Sequence, residues 1–193
     1  MNTSSSLPNP NPIDFSVNDH TDHPQIFLNG SPFANIPDVD SSYFSRLHEL
    51  ARYHLDSGNY TQGLANLDKC LDYLVTNLDG GSKSHILKDY VLETVKFLNE
   101  EALRLLKNDK PLEALRILEK CKELTHPDKY GIFPKQRSLT FNHVGCCYRR
   151  LGNLEKALYH LEKALQFVQG EDRIDVSGIT HINLCAVLSQ MQK

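Results

Sequence analysis

The sequence predicts an all-α protein made of antiparallel helical hairpins, and three observations lead to this class. Apolar residues recur every three or four positions from residue 41 onward, which is the period of helices with one buried face. Gly-Asn and Asp-Gly-Gly breaks divide this region into pairs of helical segments. The pairs share an order of bulky, small and aromatic residues, which indicates an internal repeat. We therefore expect three complete hairpins and the first helix of a fourth.

Residues 1–40 differ in composition from the rest of the chain. They contain six of the nine prolines, six Asn, five Ser and five Asp, but no Lys or Arg. Such a segment breaks helices and buries too little apolar surface to offset the entropy of ordering. We predict a disordered acidic tail. An alternative is that its apolar part, residues 10–35, lies in a binding groove of the same chain.

The remaining chain divides into seven predicted helices. Pro111 opens one of them, because proline is tolerated in the first turn of a helix. The helices are expected from residue 41 to the Gly58-Asn59 stop and at 60–76, 84–107, 111–125, 135–151, 154–169 and 176–192. The corresponding units cover 44–77, 84–126 and 136–170, with a partial unit at 176–193.

The third hairpin carries the clearest repeat signature, in which bulky, small and aromatic residues follow one another at fixed spacing. Its residues are Phe141, Val144, Gly145, Tyr148, Gly152, Ala157, Leu161 and Ala164. This pattern resembles the tetratricopeptide repeat (TPR) family. The resemblance implies a right-handed superhelical solenoid in which small residues let neighbouring helices approach closely. The expected packing residues are Ala51, Gly63, Ala102, Ala114, Gly145, Tyr148, Ala157, Ala164 and Ala186.

The other hairpins depart from the family pattern in spacing and composition. Gly63, Ala114 and Ala157 are 51 and then 43 residues apart, whereas a TPR unit is usually about 34 residues long. Longer units resemble the long-repeat TPR branch, of which kinesin light chain is the familiar example. Glu101 also stands at a position that the family usually fills with an apolar residue.

A row of asparagines is the sharpest candidate for a binding site. TPR arrays line a concave groove with the first helix of each unit, and the resemblance therefore points to exposed residues there. Asn99, Asn142 and Asn183 each stand three residues before a predicted packing residue. A side-chain amide both donates and accepts hydrogen bonds, so such a row can hold a peptide backbone. His48 takes the same place in the first hairpin. The alternative is that Asn is simply common on polar helix faces.

Basic and apolar residues surround this row and favour an acidic, apolar peptide as ligand. The predicted peptide-binding residues are His48, Arg52, Asn99, Asn142, His143, Arg149 and Asn183. Their expected neighbours are Lys96, Leu103, Leu139, Cys146, Arg150 and Val187. TPR co-chaperones that hold a carboxy-terminal EEVD peptide use Lys, Asn and Arg at places where this chain has His48, Arg52, Leu139 and His143. That ligand class is therefore not expected.

Other functional classes have little support in the sequence. There is no phosphate-binding loop, HExxH motif or nucleophile elbow, so we predict neither an enzyme nor a cofactor. His181 and Cys185 share a helix face, but two ligands do not make a metal site. The net charge of −3 and the absence of Trp do not favour nucleic acid. No run of about 18 apolar residues predicts a membrane span. The scattered cysteines indicate reduced thiols and a cytoplasmic location.

We therefore predict a protein-interaction scaffold or adaptor. The alternative is a structural subunit embedded in a large cytoskeletal or ciliary assembly. No Asp, Glu, Lys or Arg occurs between Ser177 and Gln192, unlike the polar helix that usually caps a solenoid. We expect either that the chain is the first part of a longer array or that a partner covers this last helix.

Overall fold

The computed structural model describes residues 41–78, 82–167 and 173–192, and the predicted tail with its groove-binding segment 10–35 lies outside them. Within the described residues every regular element is an α-helix, which confirms the expected fold class. None of these helices is both long and apolar enough to cross a membrane. The helices are α1 (Ser41–Asp56), α2 (Tyr60–Asn77), α3 (Ser82–Lys107), α4 (Pro111–Leu124), α5 (Pro127–Tyr130), α6 (Pro134–Arg150), α7 (Leu154–Phe167) and α8 (Arg173–Met191).

The turns inside two of the hairpins share one design. Gly58 and Gly152 follow α1 and α6 with φ of +80° and +76°, a left-handed conformation that glycine adopts without steric cost. The next residue, Asn59 or Asn153, immediately precedes the second helix and caps its first turn. The Asn59 side chain accepts a hydrogen bond from the Gln62 amide, and the Asn153 side chain accepts one from the Lys156 amide. The Gly-Asn breaks in the sequence are therefore a helix stop joined to a helix cap.

The helices form a stack of hairpins. α1 packs on α2, α3 on α4, and α6 on α7, while α4 and α7 also pack on the first helix of the following unit. The first helices α3, α6 and α8 contact one another in series. The described residues thus form an all-α array of stacked helical hairpins. The short helix α5 lies in the segment that the sequence predicted as a loop.

Small residues allow the two helices of a hairpin to approach. A Cβ atom added to Gly145 would lie 2.6 Å from Leu161 Cγ, and one added to Gly63 would lie 2.6 Å from Leu55 Cγ. The alanines at the expected packing positions of α1, α3, α4 and α7 are completely buried: Ala51, Ala102, Ala114, Ala157 and Ala164. Tyr148 and Ala186 are half-buried.

The unusual Glu101 of α3 has local partners. Its carboxylate is buried, and it accepts hydrogen bonds from Arg104 Nε at 2.7 Å and from the Tyr60 hydroxyl at 3.5 Å. A buried carboxylate is tolerated when it is paired and hydrogen-bonded. Glu101 therefore links Tyr60 of the α1–α2 hairpin to α3.

Candidate functional site

The three asparagines of the predicted row lie inside the helix stack. Asn99, Asn142 and Asn183 expose only 1%, 2% and 3% of their surface. The expectation that their amides are open along a groove is therefore wrong for this structure. The physical reason is that the first helices pack side by side, and the face that carries the row is the face by which each helix contacts its neighbour.

The amides instead bond one first helix to the next. Between α3 and α6, Asn99 Nδ2 donates to Thr140 Oγ1 at 3.0 Å, and His143 Nδ1 lies 3.3 Å from Asn99 Oδ1. Between α6 and α8, Asn183 Nδ2 donates to Asn142 Oδ1 at 3.0 Å. Buried polar groups are stable only when they are hydrogen-bonded, and these groups satisfy one another across the unit boundaries.

His48 makes the corresponding contact in the first unit. Its Nδ1 lies 3.1 Å from the Tyr90 hydroxyl, so it joins α1 to α3. We refer to these contacts together as the polar seam. Its members are His48 with Tyr90, Asn99 with Thr140 and His143, and Asn142 with Asn183.

The polar seam corrects the predicted alignment of the asparagines. The bond from Asn99 to Thr140 and the bond from Asn142 to Asn183 both span 41 residues. Asn183 therefore takes the place that Thr140 takes in the preceding unit, not the place of Asn142. The three asparagines therefore do not form the single row that the sequence predicted. Asn99 and Asn142 face the following unit, whereas Asn183 faces the preceding unit.

Burial keeps the imidazoles of the seam neutral. It lowers the pKa of His143 from 6.5 to about 4. The pKa of His48 is also lowered to about 4, chiefly by burial and secondarily by the charge of Arg52. Because desolvation penalises the charged form of histidine, both rings are neutral at pH 7. They hydrogen-bond without placing a charge between units.

The accessible part of the predicted site is basic and partly paired. Arg52 is half-buried, with its guanidinium 5.0 Å from the centre of the Phe97 ring. Lys96 Nζ lies 2.7 Å from Glu93 Oε1. Arg149 is also half-buried.

The other predicted neighbours of the row are less accessible or already paired. Arg150 Nη1 is 3.2 Å from Asp109 Oδ1. Leu103 and Leu139 are half-buried, whereas Cys146 and Val187 are buried. The peptide-binding role of the accessible residues stays a prediction.

Apolar side chains are exposed on the outermost helices of the described stack. Ile182, Leu188 and Met191 are exposed on α8, as the uncharged sequence indicated. Tyr43, Leu50 and Tyr53 are exposed on α1, and sequence reasoning missed them. Their spacing of seven and ten residues places them on one helix face, a signal that was present in the sequence.

The titratable residues of the described segments do not form a recognisable chemical site. His, Cys, Asp and Glu side chains of residues 41–78, 82–167 and 173–192 do not come together in any group of three or more that could hold a metal ion. Four of the five cysteines, Cys70, Cys121, Cys146 and Cys147, are buried. Burial raises the pKa of the Cys146 thiol to about 11, which makes it a poor nucleophile.

Comparison with known proteins identifies the central hairpin. The family model described as tetratricopeptide repeat matches residues 138–169, which cover most of α6 and all of α7. Among solved structures, the N-terminal domain of stress-induced protein-1 (STI-1) from C. elegans is similar, with 14% sequence identity and a TM-score of 0.41. The alignment covers 72% of this chain and 94% of that chain. None of the curated proteins compared matches the sequence.

Proposed function

We propose, on the premise that residues 138–169 are a tetratricopeptide repeat, that this chain is a protein-interaction scaffold that binds an extended partner segment along its first helices. The observation that supports this proposal is that the first helices contact one another in turn, α1 with α3 through His48 and Tyr90 and α3 with α6 by packing. Arg52 of α1, Lys96 of α3 and Arg149 of α6 therefore lie on successive helices of the stack. A ligand that follows the stack can contact several units in turn.

The ligand that best fits these residues is acidic and apolar. Half-buried Leu103 and Leu139 offer apolar contact beside the cations. Lys96 is paired with Glu93, but an exposed ion pair contributes only about 0–1 kcal/mol. A ligand carboxylate can therefore replace Glu93 at little cost, and the binding we propose weakens as salt rises.

The polar seam has an indirect part in this proposal. Its amides are buried, so we assign them to holding the helices at a fixed spacing, not to contact with the ligand. A rigid, preformed surface loses less conformational entropy when a ligand binds.

Fluorescence anisotropy with a library of acidic, apolar peptides tests the proposal. We expect Lys96→Glu to weaken binding by about tenfold or more, which corresponds to about 1.4 kcal/mol. The matched control is Lys69→Glu on the exposed surface of α2, which should leave affinity unchanged. Absence of binding across the library, or an equal loss with both variants, contradicts the groove that we propose.

The finer family assignment is also a proposal. Equivalent positions of the seam, Asn99 with Asn142 and Thr140 with Asn183, are 43 residues apart, which supports the long-repeat branch typified by kinesin light chain. A further unit of the same length in a longer form of this chain would sharpen that assignment, and units of about 34 residues would oppose it.

A structural subunit of a larger assembly is the second candidate function. The exposed apolar faces of α1 and α8 favour it, because such patches commonly mark association surfaces. Sedimentation of the isolated chain separates the candidates. A stable monomer at all concentrations opposes the assembly subunit, whereas concentration-dependent aggregation supports it.

A further inference from the structure

One edge of the α1–α2 hairpin is apolar and partly open. The Tyr43 ring of α1 lies 5.0 Å from the Tyr73 ring of α2. Because the two helices of a hairpin are antiparallel, Leu50 and Asn66, each seven residues from this contact, lie at the same level. We refer to these four residues as the α1–α2 edge. Leu50 exposes 44% of its surface there.

Asn66 is a buried amide of this edge that lacks a partner. It exposes only 1% of its surface, and neither its Nδ2 nor its Oδ1 has a hydrogen-bond partner among the described residues. An unsatisfied buried polar group costs about 1–3 kcal/mol. The amide has donors and an acceptor, so the main chain of an adjacent segment can satisfy both of its atoms.

The third unit has a corresponding edge, and there it is closed. When the packing residues of the first and third units are aligned, Arg137 of α6 and Phe167 of α7 take the places of the two tyrosines. The Arg137 guanidinium carbon lies 4.9 Å from the centre of the Phe167 ring. Val144 takes the place of Leu50 and is completely buried.

The chain that precedes α6 covers the edge of the third unit. Arg137 Nη1 donates to the main-chain carbonyl oxygens of Lys122 at 3.2 Å and of Thr125 at 2.9 Å. Both carbonyls belong to the end of α4 and the residue after it. A side chain of the edge is therefore satisfied by main-chain groups of the segment that leads into the unit.

The segment that leads into α1 has a sequence suited to the same role. Residues 33–40 lie outside the described part of the structure, and their sequence is FANIPDVD. Phe33, Ile36 and Val39 recur every third residue, the spacing that places side chains on one side of a polyproline II helix. Pro37 disfavours an α-helix and favours an extended conformation for Ile36. An extended segment can offer its main-chain groups to an amide.

Length and attachment favour this segment as the occupant. Leu50 is nine residues beyond Ser41, which is about 14 Å along α1. Eight extended residues span about 25 Å, so the segment can reverse direction before α1 and still reach Leu50. Covalent attachment gives it an effective concentration in the millimolar range, which favours it over a separate partner.

We propose that residues 33–40 form a cap on the α1–α2 edge, in which Phe33 packs against Leu50 and main-chain groups bond to Asn66. The cap takes the place that the end of α4 takes in the third unit. It assigns the last eight residues of the predicted tail to the fold. The cap is independent of the groove, so its test needs no peptide ligand.

Hydrogen exchange of the full chain, measured by mass spectrometry, tests the cap. We expect the amides of residues 34–40 to exchange about tenfold or more slowly than those of residues 10–30. Phe33→Asp should remove this protection and speed exchange at residues 43–50 of α1. Phe15→Asp is the matched control in the tail and should change neither. Equal exchange at 34–40 and 10–30, or an α1 that does not respond to Phe33→Asp, overturns the proposal.

Asn66→Ala distinguishes a bond to the cap from a bond to water. The variant should speed exchange at residues 34–40 while circular dichroism stays unchanged, because the cap loses its hydrogen-bond partner. Protection at 34–40 that persists in Asn66→Ala overturns the bond that we assign to this amide.

Two engineered disulfides test where the cap lies. In a Cys185→Ser background, which keeps only the four buried cysteines, Ala34→Cys is combined with either Leu50→Cys or Glu49→Cys. Glu49 is also exposed but lies about 100° around α1 from Leu50. The disulfide should form faster at position 50 than at position 49. Equal rates indicate a segment that does not rest on the edge and overturn the cap.

Discussion

Helices α6 and α8 are both first helices of repeat units, but they are buried to different extents. α6 packs on α3, α4, α7 and α8, and nine of its seventeen residues are buried. α8 packs on α6 and α7, and large apolar residues remain exposed on its outer side. Both helices nevertheless take part in the same polar seam, through Asn142 and Asn183. The comparison teaches that interior hydrogen bonds join consecutive units, and that the burial of a first helix depends on how many helices pack against it.

The largest expected effect concerns Leu161, which supports both helices. It is completely buried, lies against Gly145 of α6 and shares a cluster with Val187 of α8. Leu161→Ala should reduce the free energy of unfolding by about 2–5 kcal/mol through lost burial and the cavity left behind. Leu112→Ala at an exposed site should change it by less than about 0.5 kcal/mol. Urea unfolding at low protein concentration measures the effect of both variants. Equal losses of unfolding free energy for Leu161→Ala and Leu112→Ala would contradict the role given to Leu161.

The buried His143 of α6 should make the protein sensitive to acid. Its pKa is about 4 when folded, against 6.5 in a model peptide, so the unfolded chain takes up the proton first. The contribution of neutral His143 to the free energy of unfolding is therefore fully present above pH 6.5. It decreases as the pH falls from 6.5 toward 4, and it changes no further below pH 4. The loss from this residue is about 3 kcal/mol.

The matched variant is His143→Gln, which cannot titrate. Its unfolding free energy should fall less steeply between pH 6.5 and 4 than that of the native protein, with the remaining slope including the share of His48. Identical slopes for the two proteins would mean that His143 is not buried as described.

One glycine in α6 and one in α8 differ in the space around them. A Cβ at Gly145 of α6 would lie 2.6 Å from Leu161 Cγ and 3.2 Å from the Ala157 carbonyl oxygen, whereas a Cβ at Gly178 of α8 would meet nothing within 4 Å. Gly145→Ala should destabilise by about 1–3 kcal/mol through overpacking. Gly178→Ala should stabilise by about 0.5–1 kcal/mol through helix propensity. Thermal unfolding of both variants gives the signs, and the same sign for both would contradict the packing difference.

Much of the fold could be predicted because its determinants are local. Gly58-Asn59 and Gly152-Asn153 stop one helix and cap the next, and the small residues at Ala157 and Ala164 identify the repeat. The four-residue α5 escaped prediction because a single turn has no periodicity to detect. Its cap comes from the His126 side chain, which accepts from the Asp128 amide.

The candidate site was predicted less well because accessibility depends on how units stack. The spacing placed Asn99, Asn142 and Asn183 at one position of the repeat, but spacing cannot distinguish a groove face from a face between helices. A polar amide suits either surface when a partner is present. The stacking also shifts α8 by two residues relative to the predicted alignment, so that Asn183 faces Asn142. The shift depends on how α6 and α8 pack against each other, so it cannot be predicted from the sequence of α8 alone.

The most direct test of the polar seam is a double-mutant cycle on Asn142 and Asn183. Each single change to Ala removes one partner of a buried 3.0 Å hydrogen bond and should cost about 1–3 kcal/mol. The double variant should cost less than the sum of the two, with a coupling energy of about 0.5–1.5 kcal/mol. Additive effects, together with a loss of peptide affinity in a fully folded Asn142→Ala protein, would show that the amides face a ligand and would contradict the interior seam.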